Sequence, residues 1–200
     1  MGTLFNNLWS EEVNDHSHLP PYAREHVQPG YLVQALSSEE GEVRRQARQQ
    51  LEEVGPAAIP YLAQALQNPL ENVRWEAAVA LSRLEDPSTA PCFVGILGDE
   101  EKEIRSLAVE SLIQLGEPSI EPALIGLTQS AYSEEFYQST AFILEALSMR
   151  YPAWRERLEP VMKAFGQPRQ EEIVYRKAER LVQKLRAEEE EAMEASYEPL

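Results

Sequence analysis

The sequence predicts an all-α protein, an α–α superhelix of about five helical hairpins with an extension at its N-terminus. Three observations carry that expectation. The hexapeptides YLVQAL (31–36) and YLAQAL (61–66) differ in one letter and lie thirty residues apart. A longer pattern, VRRQARQQLEEVG from Val43, returns as VRWEAAVALSRLE from Val73 and IRSLAVESLIQLG from Ile104. It returns more loosely as FYQSTAFILEALS from Phe136 and VYRKAERLVQKLR from Val174, giving intervals of 30, 31, 32 and 38 residues. Finally, only nine of 200 residues are Gly, and the abundant Leu, Ala, Gln, Glu and Arg are strong helix formers. A period of this length with two helices per unit is the mark of a stacked array.

Residues 1–28 fall outside the repeat. Leu4, Phe5, Leu8 and Trp9 are spaced to form one apolar face of a short helix, followed by polar EEVNDHSH and the Pro20–Pro21 pair. The end of an array needs covering, so this helix is expected to dock there; the alternative is a helix that inserts into a groove of a partner. The repeat array is expected over 29–186. Its first helices are YLVQAL, YLAQAL, CFVGIL and EPALIGL, in which Leu32, Leu62 and Phe93 align, as do Leu36, Leu66 and Leu97. Pro29, Pro56, Pro60, Pro87, Pro91, Pro118 and Pro122 stand before or in the first turn of these helices, where a missing N–H costs little.

In the second helices the first, fifth, ninth and twelfth positions are apolar or small: Val43, Ala47, Leu51 and Val54, then Val73, Ala77, Leu81 and Leu84, then Ile104, Ala108, Leu112 and Leu115. Steps of four, four and three put them on one face. Ala at the fifth position allows two helices to approach closely. Gly55 and Gly116 fall where a helix ends on a residue of positive φ. Tyr151 and Trp154 mark a bend or a cap after the fourth unit, and residues 187–200 form an acidic tail expected to be disordered.

The pattern VR-x-x-A-x-x-x-L-x-x-L, followed by a Pro-containing turn and a short Leu-rich helix, resembles the HEAT/armadillo-like solenoids. More narrowly, it resembles the short HEAT-like repeats named after phycobilisome lyases. The likeness is closest over 56–116, clear from 29, and looser from 117 to 186. It implies a ladder in which an acidic residue stands six positions before the repeat arginine. Asp99 precedes Arg105 suitably, but Asn68 precedes Arg74, Ser38 precedes Arg44, and Tyr137 replaces the arginine in the fourth unit. Arg44, Arg74 and Arg105 are therefore expected to be structural. In cyanobacteria such repeats form paired subunits of phycobilin lyases, and a relative promotes phycobilisome degradation. Another relative associates with iron–sulfur scaffold proteins.

A net charge of −16 repels phosphate backbones and anionic lipid surfaces, so neither nucleic acid nor membrane is expected as a partner. It suits a protein partner with a basic patch, in a hetero-oligomer. The single cysteine, Cys92, excludes an internal disulfide and a Cys-rich zinc site, and its alignment with Tyr31 and Tyr61 points to packing. No basic n-region with an apolar core opens the chain, and no run of apolar residues is long enough to span a membrane, so the cytoplasm is the expected compartment. Deoxyhypusine hydroxylase, built of similar repeats, binds iron through His-Glu pairs that this array lacks: the three histidines, His16, His18 and His26, precede it. No catalytic residue, metal ligand or cofactor is read from the sequence, and a non-enzymatic scaffold is favoured over a lyase.

Positions three, seven and ten of the second helices turn away from the core stripe, onto the face expected to be concave. They read Arg45, Gln49, Glu52; Trp75, Val79, Ser82; Ser106, Glu110, Ile113; Gln138, Phe142, Glu145; and Arg176, Arg180, Gln183. An apolar centre at Trp75, Val79, Ile113 and Phe142, rimmed by Arg45, Arg176 and Arg180, has the composition of a protein-binding patch. Arg45, Trp75, Val79, Ser106, Glu110, Ile113, Gln138, Phe142 and Arg180 are the candidate contact residues.

Overall fold

A computed structural model describes residues 29–129 and 133–196, which fall into two compact units with their sequence boundary at Leu84–Glu85. Every regular element among the described residues is a helix. The expected N-terminal helix at Leu4–Trp9 lies outside them.

The first unit holds two hairpins: α1 (Pro29–Ala35) with α2 (Gly41–Val54), and α3 (Ile59–Ala65) with α4 (Glu71–Leu84). The repeated hexapeptides bury the same letters. Leu32, Ala35 and Leu36 are inside in one, Leu62, Ala65 and Leu66 in the other, while Tyr31 and Tyr61 face out. In the second helices Val43, Ala47 and Leu51, and Val73, Ala77 and Leu81, form the buried stripe. Val54 and Leu84, at the twelfth position, are only half-buried. Ala47 and Ala77 have no exposed surface, as expected of residues that let α2 and α4 lie against one another.

One turn geometry recurs in the first three hairpins. Arg44 donates through Nη1 to the carbonyls of Ser38 (2.9 Å) and Glu39 (3.0 Å). Arg74 does the same to Asn68 (3.0 Å) and Pro69 (3.3 Å), and Arg105 to Asp99 (2.6 Å) and Glu100 (2.9 Å). The residue six positions before each arginine also uses its side chain. Ser38 Oγ accepts from the Glu40 N–H, Asn68 Oδ1 from Leu70, and Asp99 Oδ1 from Glu101. Ser, Asn and Asp are interchangeable in such turns because each offers an oxygen to the N–H two residues on. An acidic residue is therefore not required at this position, since it is the carbonyl that receives the arginine.

A charge network laces α2 to α4. Arg48 pairs with Glu76 and, at 3.2 Å, with Glu52; Arg83 reaches Glu52 at 3.3 Å, and Arg44 Nε lies 3.7 Å from Glu76. Glu76 is buried, and Arg48 nearly so. Such a pair adds little net stability over an apolar equivalent, but removing one partner strands the other in a poorly solvated place.

The second unit opens with a 3₁₀ turn, Pro87–Thr89, capped by Asp86, whose carboxyl accepts the Ser88 N–H at 2.8 Å and is held below its ordinary range by the bonds to Ser88. Then come α5 (Ala90–Gly95), α6 (Lys102–Leu115), α7 (Ile120–Leu127), α8 (Glu134–Arg150), α9 (Pro152–Met162) and α10 (Gln170–Ser196). The pairs α5–α6 and α7–α8 stack as in the first unit. Gly126 on α7 is needed for this: a Cβ there would stand 2.6 Å from Val94 Cγ1 and 3.2 Å from Phe136 Cζ. In the fourth hairpin Ser133 caps α8 through the Phe136 N–H (3.3 Å), and Tyr137 is buried edge-on to Phe136.

The last hairpin departs from the expected register. Only Tyr151 separates α8 from α9, so α9 folds back along α8, and α10 packs on α7, in the row of first helices. The bend is pinned at the end of α6. Gly116, at φ 80° and ψ −136°, sits under the Tyr151 hydroxyl, which would lie 2.3 Å from any Cβ; Arg150 donates to the Ile113 carbonyl (3.2 Å). Gly55 adopts a similar positive φ of 72°. At the corresponding place after α4, Glu85 takes φ 50°, a conformation that costs a non-glycine residue about 1 kcal/mol or more. Beyond residue 186 the chain is helical to Ser196 rather than disordered as expected, with every residue of 187–196 exposed. Glu and Ala favour the helix, and Glu188 pairs with Arg157 and Lys184.

Two outcomes follow for denaturant unfolding. Asn68→Ala should lower stability by about 1 kcal/mol, and Asn68→Ser should stay within about 0.5 kcal/mol of the native chain, because the serine restores the acceptor seen at Ser38. Glu76→Ala should cost about 3 kcal/mol, and adding Arg48→Leu should recover part of that loss in a double-mutant cycle.

Candidate partner-binding surface

In the first unit, the outward positions of α2 and α4 carry Arg45, Trp75 and Val79. Arg45 is exposed and held by Glu42 on its own helix. Trp75 is 37% exposed, Val79 is half-buried, and Gln49 is exposed. The ion pairs Arg48–Glu76 and Arg83–Glu52 join the two helices that display these residues, so the indole projects from a braced base.

In the second unit, α6 and α8 pack side by side and carry the next two sets. Ser106 and Glu110 are exposed and Ile113 is half-buried. Gln138 is exposed and donates to Glu134 at 3.1 Å, and Phe142 stands 58% exposed. An uncovered phenylalanine in mid-helix is unusual enough to mark a surface. The buried positions of the same helix, Phe136, Thr140, Leu144 and Leu147, leave it outside the core.

Arg180 does not join this set. It is exposed, but α10 packs on α7, so Arg180 belongs with the first helices, as do Arg176, paired with Glu172, and Gln183. The sequence pattern of α10 imitates a second helix because its buried stripe, Val174, Ala178, Val182 and Leu185, keeps the same spacing. The short α8–α9 connection puts it in the other row.

Sequence reasoning passed over Arg48 and Glu76, whose pairing is between repeats and therefore has no period. It also noted Trp154 only as a bend marker. Cys92, on α5, is half-buried, and burial pushes its thiol up, so the sulfur stays protonated at neutral pH and is a weak nucleophile. Among the described residues no group of three His, Cys, Asp or Glu is placed to hold a metal ion. His16, His18 and His26 lie outside those residues. No helix among the described residues is long and apolar enough to cross a membrane.

Short antiparallel helix pairs, each with a buried stripe at the same positions and with neighbouring pairs stacked inside each unit, define a helical-hairpin repeat protein. Residues 31–113 match the family model of HEAT repeats. HEAT repeats are in general surfaces for protein–protein interaction. A comparison with the curated proteins finds no match.

Proposed function

We propose that the protein is a non-enzymatic scaffold that holds a protein partner on the outward positions of its second helices. The observation that supports this best is the exposure of Trp75 and Phe142 on helices whose other large apolar side chains are mostly covered. In the first unit Val79 adds apolar surface on the helix of Trp75 and Arg45 a charged margin; in the second, Ile113 adds apolar surface and Ser106, Glu110 and Gln138 a polar margin, the usual composition of an interface. Arg180 is not assigned to this contact.

Trp75→Ala and Phe142→Ala should each weaken partner capture by about 2 kcal/mol while moving the melting temperature by less than about 3 °C. Quantitative capture from native lysate, with Gln64→Ala on a first helix as control, reads the affinity, and calorimetry reads the melting temperature. Loss of stability with unchanged capture would return these side chains to a packing role.

A narrower reading makes the chain a subunit of the phycobilin-lyase kind, or a factor acting on phycobilisomes; the resemblance of its repeats to that group supports it. Mixing with phycocyanobilin should then shift the visible absorption band of the bilin. An unchanged band, with and without a second HEAT-repeat subunit, would exclude a bilin-handling role.

A further inference from the structure

The second unit contains an open groove of about 490 Å³ between the start of α7, α9 and the last part of α10. Its apolar lining is Pro118, Trp154, Leu185 and Ala192. Its charged lining, apart from one arginine, is four carboxylates: Glu117, Glu121, Glu188 and Glu189. The indole is fixed in place, because Trp154 Nε1 donates to Glu117 Oε1 at 2.8 Å. One cation of the chain already uses the site. The Arg157 guanidinium carbon lies 5.1 Å from the Trp154 ring centroid and its nitrogen pairs with Glu188. Arg157 is the single basic residue among those lining the groove.

We infer that this groove docks a basic segment of a protein partner, an arginine or lysine side chain taking the place of Arg157 on the Trp154 face between the two pairs of carboxylates. The arrangement shows what fits it. An apolar lining interspersed with carboxylates suits a side chain that joins an aliphatic stem to a cationic head. The same carboxylates repel phosphate, which excludes nucleic acid and anionic lipid. Glu190, Glu191 and Glu194, on the exposed continuation of α10, extend the negative field beyond the groove, with no basic residue after Arg186 to offset it. The groove lies on α7, α9 and α10 and shares no residue with the Trp75 and Phe142 contact, so it stands or falls independently of it.

Calorimetric titration of the full chain with an amidated peptide of alternating arginine and glycine, in about 50 mM salt, tests the assignment. The native chain should bind. Trp154→Ala should weaken binding about fivefold or more, and Glu121→Gln with Glu189→Gln about tenfold. Glu100→Gln with Glu103→Gln removes the same charge elsewhere in the unit and should change affinity by less than about twofold. Arg157→Gln, which vacates the ring, should tighten binding about threefold. If circular dichroism shows that Trp154→Ala loses helix, Trp154→Phe, which keeps a ring face, and Arg157→Gln decide the matter. No binding by the native chain, weaker binding by Arg157→Gln, or equal loss in the two charge pairs would overturn the site. The last of these outcomes would assign the binding to diffuse acidity.

Discussion

The bonds from the repeat arginine to two turn carbonyls are what each of the first three hairpins depends on. The first helices are six or seven residues long, far too short to persist alone in water. They hold their form only because the chain returns on itself at a set angle and lays a second helix against them. Arg44, Arg74 and Arg105 set that angle from inside the second helix, tying its first turn to the loop it came from. A cationic donor shared between two neutral carbonyls contributes more than an amide would, and it does so without depending on which side chain stands six residues earlier. With the turn closed, positions one, five and nine are buried, and inside the first unit the small Ala47 at the fifth lets α4 approach α2.

Where the arginine is missing, the structure finds other closures and loses regularity. Tyr137 replaces it in the fourth unit and turns inward against Phe136, while Ser133 takes over the start of the helix. Phe136 in turn leans on Gly126, one of two places in this unit where a methyl group could not be added without a collision. The other is Gly116 beneath Tyr151, where the bend after α8 is locked to the end of α6. Together these contacts send α9 back along α8 and leave α10 to cover α7, so that this unit ends on an amphipathic helix laid across a first helix.

The buried framework was legible in the sequence because it is periodic. Leu32 and Leu62, Ala47 and Ala77, Ile104 and Leu112 fall where the spacing put them, and the bend at Tyr151 was marked by its aromatic and proline neighbours. Exposure of Trp75 and Phe142 followed from the same helical arithmetic. What escaped was of two kinds. The row occupied by α10 depends on a one-residue connection between α8 and α9, a tertiary fact that a stripe of Val174, Ala178 and Leu185 does not encode. The pairing of Arg48 with Glu76, and the stacking of Arg157 on Trp154, join residues whose partners lie 28 and three positions away with no repeating counterpart, so periodicity offered no signal.

The charge of the chain bears on recognition through its distribution more than its total. Residues 29–84 hold seven acidic and five basic residues, whereas 85–196 hold twenty-two and twelve. In the first unit two of the seven acidic residues, Glu52 and Glu76, lace α2 to α4, while Glu39, Glu40, Glu42, Glu53 and Glu71 stay exposed alongside Tyr31, Tyr61 and the Trp75 indole. With seven acidic against five basic residues, this unit carries little net charge to act at a distance. The second unit is the reverse: its twenty-two acidic against twelve basic residues set up a negative field that reaches roughly a Debye length, about 8 Å at physiological salt, while each exposed ion pair adds little stability. On the two contacts proposed above, acidity would set the rate of arrival and aromatic contact the time of departure.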